Sequence, residues 1–170
     1  MVESVMKMDL PERKKNRLEQ YDYGQNGAYF VTICTKDRKS ILCDIVGDGF
    51  PVLKPIGKIA QTVTEQIPVK YSAVRIDKHV IMPNHIHLLL SIENGGTGNP
   101  SPTVGTVVGW YKYSITKQAN RQYGTSGNKI FQRSYHDHII RNEKDYAEIW
   151  VYIENNPKKW TLDRYYCEKK

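Results

Sequence analysis

The sequence predicts an α+β protein: a ferredoxin-like antiparallel sheet with helices packed on it over one face. Three observations carry this. Strand-like and helix-like segments alternate in the order β-α-β-β-α-(β)-α, and the two central strands are joined through Pro83-Asn84, which makes them an antiparallel pair. The length of 170 residues, 39% of them hydrophobic, suffices for one core and excludes two large domains.

Each element has its own signal. Residues 28–35 are rich in β-branched and aromatic side chains and follow Gly27, the mark of a core strand. Gly47, Gly49 and Pro51 mark 44–55 as a loop. In 56–69, Ile59, Val63 and Ile67 recur at four-residue steps, an amphipathic helix with Gly57 near its start. Residues 74–82 and 85–92 are strands on either side of the Pro83-Asn84 turn. A flexible connection over 95–100 leads to a helix over 103–123, with Val104, Val107, Val108, Tyr111 and Ile115 on one side and basic residues on the other. Residues 130–140 extend as a strand or an ordered loop. Asn142 reads as an N-cap with Asp145 in the first turn, and Pro157 stops the last helix, 143–156. Residues 1–20, with Arg13-Lys14-Lys15-Asn16-Arg17, form a basic arm; 21–165 are one domain and 166–170 a tail.

Composition excludes several classes. The longest apolar stretch, around 87–92, is far short of the roughly 18 residues of a membrane span, and the N-terminus is charged rather than signal-like, so a soluble cytoplasmic protein is expected. Cys34, Cys43 and Cys167 form no Cys-x-x-Cys and suggest neither a disulfide framework nor a zinc knuckle. The net charge of +7 and 12 tyrosines favour an anionic partner. Five of those seven charges fall within 94–142, where Lys112, Lys117, Arg121, Lys129, Arg133 and Arg141 face a single acid, Asp137. Trp110, Tyr111, Tyr113, Tyr123, Phe131 and Tyr135 are interleaved with them, a mixture suited to phosphates and unstacked bases and equally to a solvated basic surface.

The most informative segment is 82–90. Along a strand Ile86, Leu88, Leu90 and Ile92 share the core face, so His85 and His87 project together from the other, close enough for one nitrogen each on a divalent cation. Two imidazoles are too few for a closed zinc site and would leave positions open for substrate oxygens or water. By spacing alone the pair also describes two surface histidines.

Around this pair three separated segments resemble a family. They are Tyr21-Asp22-Tyr23 followed by the 27–35 strand, Met82-Pro83-Asn84-His85-Ile86-His87, and Arg141-Asn142-Glu143 with Tyr152-Ile153-Glu154-Asn155-Asn156-Pro157. Together they resemble the single-tyrosine HUH transposases, most closely the REP-associated tyrosine transposases, over roughly residues 13–160. The resemblance implies an HUH endonuclease/transposase-type fold and a helix nucleophile at Tyr152. Chemistry also asks for a tyrosine on a rigid element facing the histidines. Asn156, four residues on and on the same helical face, would supply a third, oxygen, ligand, a role the resemblance supports. Tyr146 and Tyr135 are the competing tyrosines; Tyr165 and Tyr166 read as packing or surface, and His79 as structural. The resemblance points to His138, within Tyr135-His136-Asp137-His138, as lining the site.

The implied chemistry is metal-dependent cleavage and strand transfer on single-stranded, hairpin-forming DNA through a 5′-phosphotyrosine, with Mg²⁺ or Mn²⁺ and no nucleotide cofactor. Lys112, Arg121, Arg133, His138 and Arg141 are the DNA-contact candidates. A non-cleaving hairpin-binding protein and a metal-dependent nuclease using water are the alternatives. Relatives of this kind act as homodimers or as monomers, and the sequence does not choose.

Overall fold

The computed structural model describes residues 27–93 and 101–167. The basic arm, Tyr21-Asp22-Tyr23, the 95–100 connection and the end of the tail lie outside the described residues.

Strand β1 (Gly27–Cys34) pairs antiparallel on both sides, with β5 (His85–Ile92) and β6 (His136–Ile140). β4 (Val74–Ile81) adds to β5, giving the order β4-β5-β1-β6. Register decides the faces, because residues opposite one another across an antiparallel pair point the same way. Tyr29, Val31 and Ile33 lie opposite Leu90, Leu88 and Ile86, and all six are fully buried. Helices α1 (Pro55–Lys70) and α2 (Val104–Tyr123) close this face through Ala60, Val63, Ile67, Val107, Tyr111 and Ile115. Each large aliphatic side chain buried there contributes about 1.5–3 kcal/mol. Gly57 is required where α1 crosses the Leu42 backbone, since a Cβ there would collide with the Leu42 carbonyl oxygen. His79, placed on this face by a register shift after Ile76, meets Gln61 Oε1 of α1 at 3.0 Å, a structural contact.

The local signals for the helices hold. Thr103 caps α2, its hydroxyl accepting the Thr106 N–H, and Asn142 caps α3 (Glu143–Asn155), its Oδ1 accepting the Asp145 N–H at 2.8 Å.

Three expectations are corrected. The 44–55 loop contains a hairpin, β2 (Cys43–Val46) and β3 (Phe50–Leu53), in a separate two-stranded sheet; Pro51 is accommodated because β3 has only one neighbour. Within 130–140 only the last five residues form a strand, and Phe131 makes an isolated bridge to Thr35. Finally, helices cover both faces of the sheet rather than one. The second face carries Phe30 and Leu89 beside the imidazoles, apolar surface that also needs cover, and α3 crosses it.

Candidate active site

On that second face β1 contributes Phe30, Thr32 and Cys34, opposite Leu89, His87 and His85; across β1, His138 and His136 lie opposite Phe30 and Thr32. Both β5 imidazoles are buried, with 0% and 1% of their surface exposed, so they are not surface histidines. Their Nε2 atoms face each other at 3.0 Å. Behind them, His85 Nδ1 meets Asn84 Oδ1 at 2.9 Å and His87 Nδ1 meets Thr32 Oγ1 at 2.8 Å. A hydroxyl can donate or accept, so Thr32 accommodates either tautomer of His87. Asn84 fixes His85 with its Nε2 lone pair turned inward.

Burial lowers the His85 pKa to about 4, against the opposing pull of Asp163. Burial, the His85 ring and Arg164 hold His87 well below its ordinary value. Both rings are therefore neutral at pH 7, as metal ligation requires. The sign of the pH dependence follows. Between the unfolded value near 6.5 and about 4, the unfolded chain binds protons that the folded chain refuses, so stability is complete above 6.5 and declines as the pH falls toward 4. Metal-free protein is expected to lose on the order of 3 kcal/mol through His85 over this window, read by denaturant titration at several pH values. The loss should shrink in His85→Gln.

Beyond α3, Pro157 ends the helix and a 3₁₀ turn, Trp160–Leu162, returns the chain onto the imidazoles. The Tyr165 ring lies 4.6 Å from that of His85, and Asn84 Nδ2 donates to the Tyr165 carbonyl at 2.8 Å. This turn delivers Asp163, which sequence reasoning missed. Its carboxylate and one nitrogen of each imidazole lie within 4.8 Å of one another. Asp163 Oδ2 accepts from Asn156 Nδ2 and, at 3.3 Å, from the Tyr152 hydroxyl, while Oδ1 accepts the Tyr165 N–H. Asn156 Oδ1 is buried and finds no hydrogen-bond partner among the described residues. Two inward nitrogens, a carboxylate and an orphaned amide oxygen are a donor set that fits one divalent cation.

Tyr152 on α3 stands over this group, its ring 5.4 Å from His87 and edge-on to Phe30 at 5.8 Å. It is 39% exposed, and burial with the Asp163 carboxylate beside it pushes its phenol up to about 12. Tyr146 is elsewhere, against Trp150 at 6.2 Å and beside Asp77 of β4, and Tyr135 packs on the core. Tyr152 separates two open cavities. One, of about 470 Å³, is lined by Phe30, Thr32, His87, His138 and Arg164. The other, of about 420 Å³, is lined by Glu148, Asn155, Lys159 and Asp163. Arg38 and Arg164 flank the Tyr165 ring at 5.2 and 4.7 Å, cations the sequence did not single out because they are 126 residues apart.

The other candidates scatter. His138 lines the larger cavity, and Arg133 and Arg141 are exposed around β6. Lys112 spends its ammonium on the carbonyls of Gln132 and Arg133, at 2.6 and 2.9 Å, tying that loop to α2. Arg121 is exposed at the end of α2, in the helical layer across the sheet from the imidazoles.

The fold is that of a solved transposase. It matches a REP-associated tyrosine transposase bound to a REP hairpin with a TM-score of 0.57 and 21% identity, over 87% of this chain and 76% of that one. Residues 25–156 match the family model described as Transposase IS200 like, and the chain belongs to the IS200-like transposase family. It is 33% identical over 172 residues to a Haemophilus influenzae protein described only as uncharacterized, covering 92% of this chain and 94% of that protein. It is 32% identical over 149 residues to a putative REP-associated tyrosine transposase of the same organism, covering 81% and 74%. No helix among the described residues is long and apolar enough to cross a membrane.

Proposed function

We propose that the protein cleaves and rejoins single-stranded, hairpin-forming DNA, with Tyr152 attacking a phosphodiester to form a 5′-phosphotyrosine and release a 3′-hydroxyl. The observation that carries this is the placement of Tyr152 over the buried imidazole pair, its hydroxyl 3.3 Å from Asp163. At a pKa of about 12 the phenol is almost wholly protonated near neutral pH, so its proton must leave as the attack proceeds. Asp163 Oδ2 is the acceptor within reach. A divalent cation, Mg²⁺ or Mn²⁺, held by His85, His87, Asp163 and Asn156 would polarise the phosphate and neutralise charge developing on it. Thr32 and Asn84 keep the imidazoles aimed inward, and Arg164 in the cavity wall offers a fixed cation to the DNA backbone.

The substrate class rests on the family and on the hairpin held by the structural relative. Exposed Arg133 and Arg141 suit phosphate contacts beside β6, and we assign the catalytic unit to residues 21–165. The test is incubation of labelled hairpin DNA with the protein and Mn²⁺, followed by a denaturing gel. A covalent adduct with a free 3′-end is expected. Cleavage without adduct would indicate a water-using nuclease, and binding alone a non-cleaving hairpin binder.

Tyr152 meets His87 of its own chain, which supports a site complete within one protomer. Mixing Tyr152→Phe with His87→Ala protein should therefore restore no adduct. Recovery on mixing would show the tyrosine helix crossing between subunits of a homodimer.

A further inference from the structure

The transfer leaves the departing 3′-oxygen without a proton donor. When Tyr152 attacks, the P–O3′ bond breaks, and an alkoxide at the 3′-oxygen is a poor leaving group unless a positioned acid protonates it.

His138 occupies the place for such an acid. It stands on β6 opposite Phe30, whose ring touches those of both His87 and Tyr152, and it lines the same cavity as they do. Its Nε2 meets both carboxylate oxygens of Asp145, at 2.8 and 3.0 Å. The carboxylate is itself fixed in the first turn of α3: Oδ2 accepts the Arg141 N–H at 3.3 Å, and the Asp145 N–H is held by Asn142. Burial works to raise the Asp145 pKa, but His138 and the Arg141 amide outweigh it and keep the carboxyl ionised. An ionised partner behind one ring nitrogen fixes the ring and leaves Nδ1 for the substrate. With the His138 side chain 51% exposed, the ring can exchange protons with solvent between turnovers. Other charged or titratable groups around the cavity are His136 and Asp137 on the same strand, Arg164 and Tyr165 from the C-terminal turn, and Tyr152 from α3.

We propose that His138, positioned by Asp145, is the general acid that protonates the departing 3′-oxygen and the general base that deprotonates the incoming 3′-hydroxyl on rejoining. In cleavage the Tyr152 oxygen bonds to phosphorus, its proton passes to Asp163, the P–O3′ bond breaks, and the His138 ring proton goes to the 3′-oxygen. Rejoining reverses each transfer, so the protons balance with no added co-reactant. This assignment rests on the tyrosine-transfer reading above.

The experiment compares hairpin DNA bearing the ordinary 3′-oxygen at the cleavage site with the same DNA bearing a bridging 3′-sulfur, whose thiolate leaves without protonation. His138→Gln should form adduct about 100-fold more slowly than wild type on the oxygen substrate. On the sulfur substrate it should match wild type, which also shows that the variant is folded. Asp145→Asn should show a smaller loss with the same sulfur rescue, marking it as a positioning residue. Equal loss on both substrates would make His138 a DNA-binding cation and overturn the proposal, as would an undiminished rate on oxygen. Failure of wild-type protein to form adduct on either substrate would instead overturn the tyrosine-transfer reading, and this inference with it.

Discussion

Tyr152→Phe is expected to abolish the covalent protein–DNA adduct while leaving the protein folded. Phenylalanine keeps the ring that packs edge-on to Phe30 and beside His87, so the lost contact is one long hydrogen bond to Asp163 at a half-exposed site. That costs at most about 1 kcal/mol. The effect on the reaction is of another order, because the other described phenol against the imidazoles, Tyr165, is buried with its hydroxyl bound by Arg164 at 2.6 Å. Tyr146 is turned toward Asp77 and Tyr135 is packed on the core. The adduct rate should drop on the order of 10⁶-fold, the scale at which a covalent enzyme fails when its nucleophile is removed. Tyr146→Phe should form adduct at the wild-type rate. Matched circular dichroism and thermal melts for the three proteins exclude unfolding as the cause, and undiminished adduct from Tyr152→Phe would reassign the nucleophile.

The faces that carry the histidines and Tyr152 follow from local spacing, whereas the choice of Tyr152 among the tyrosines comes from the resemblance. Alternation along 85–92 and the Pro83-Asn84 turn are enough to separate the imidazole face from the core face. The Asn142 cap and Pro157 bound the last helix, and with it the face shared by Tyr152 and Asn156. Asp163 was illegible for the complementary reason. It reaches the histidines only through a three-residue 3₁₀ turn with no periodic signal, held by contacts such as Asn84 to Tyr165 across 81 residues. The same limit explains Tyr165, read as packing; it does pack, but onto His85 and between two arginines. The β2–β3 hairpin escaped because its strands are only four residues long, Gly47 and Gly49 sit in the turn between them and Pro51 within β3, all loop signals taken singly. Charge density along the sequence does not translate into a single surface. The basic stretch of the sequence divides between the two sides of the sheet, and one of its lysines is spent on backbone carbonyls.

The second large effect concerns the ion. At a Mn²⁺ concentration about 100 times the dissociation constant, binding to the folded state alone adds about 2.7 kcal/mol. For a chain of this length that raises the melting temperature by about 5–10 °C. His85→Ala and His87→Ala should each lose this rise and the adduct together, because a single imidazole with Asp163 and Asn156 no longer surrounds one point. Alanine also strips Asn84 or Thr32 of its ring partner, so the metal-free melt will fall as well, and the informative quantity is the difference between melts with and without Mn²⁺. Thr32→Val and Asn84→Ala keep all four candidate ligands but release the rings. They should weaken Mn²⁺ binding about 10–100-fold without abolishing it. Asp163→Asn separates two roles that the geometry combines in one carboxylate: it weakens the ion site, and it removes the acceptor facing the Tyr152 hydroxyl. If excess Mn²⁺ restores its melt but not its adduct rate, the carboxylate serves the tyrosine. If both return together, it serves the ion alone. A Mn²⁺-induced rise that survives in both histidine variants would place the ion elsewhere and remove the imidazole pair from the chemistry.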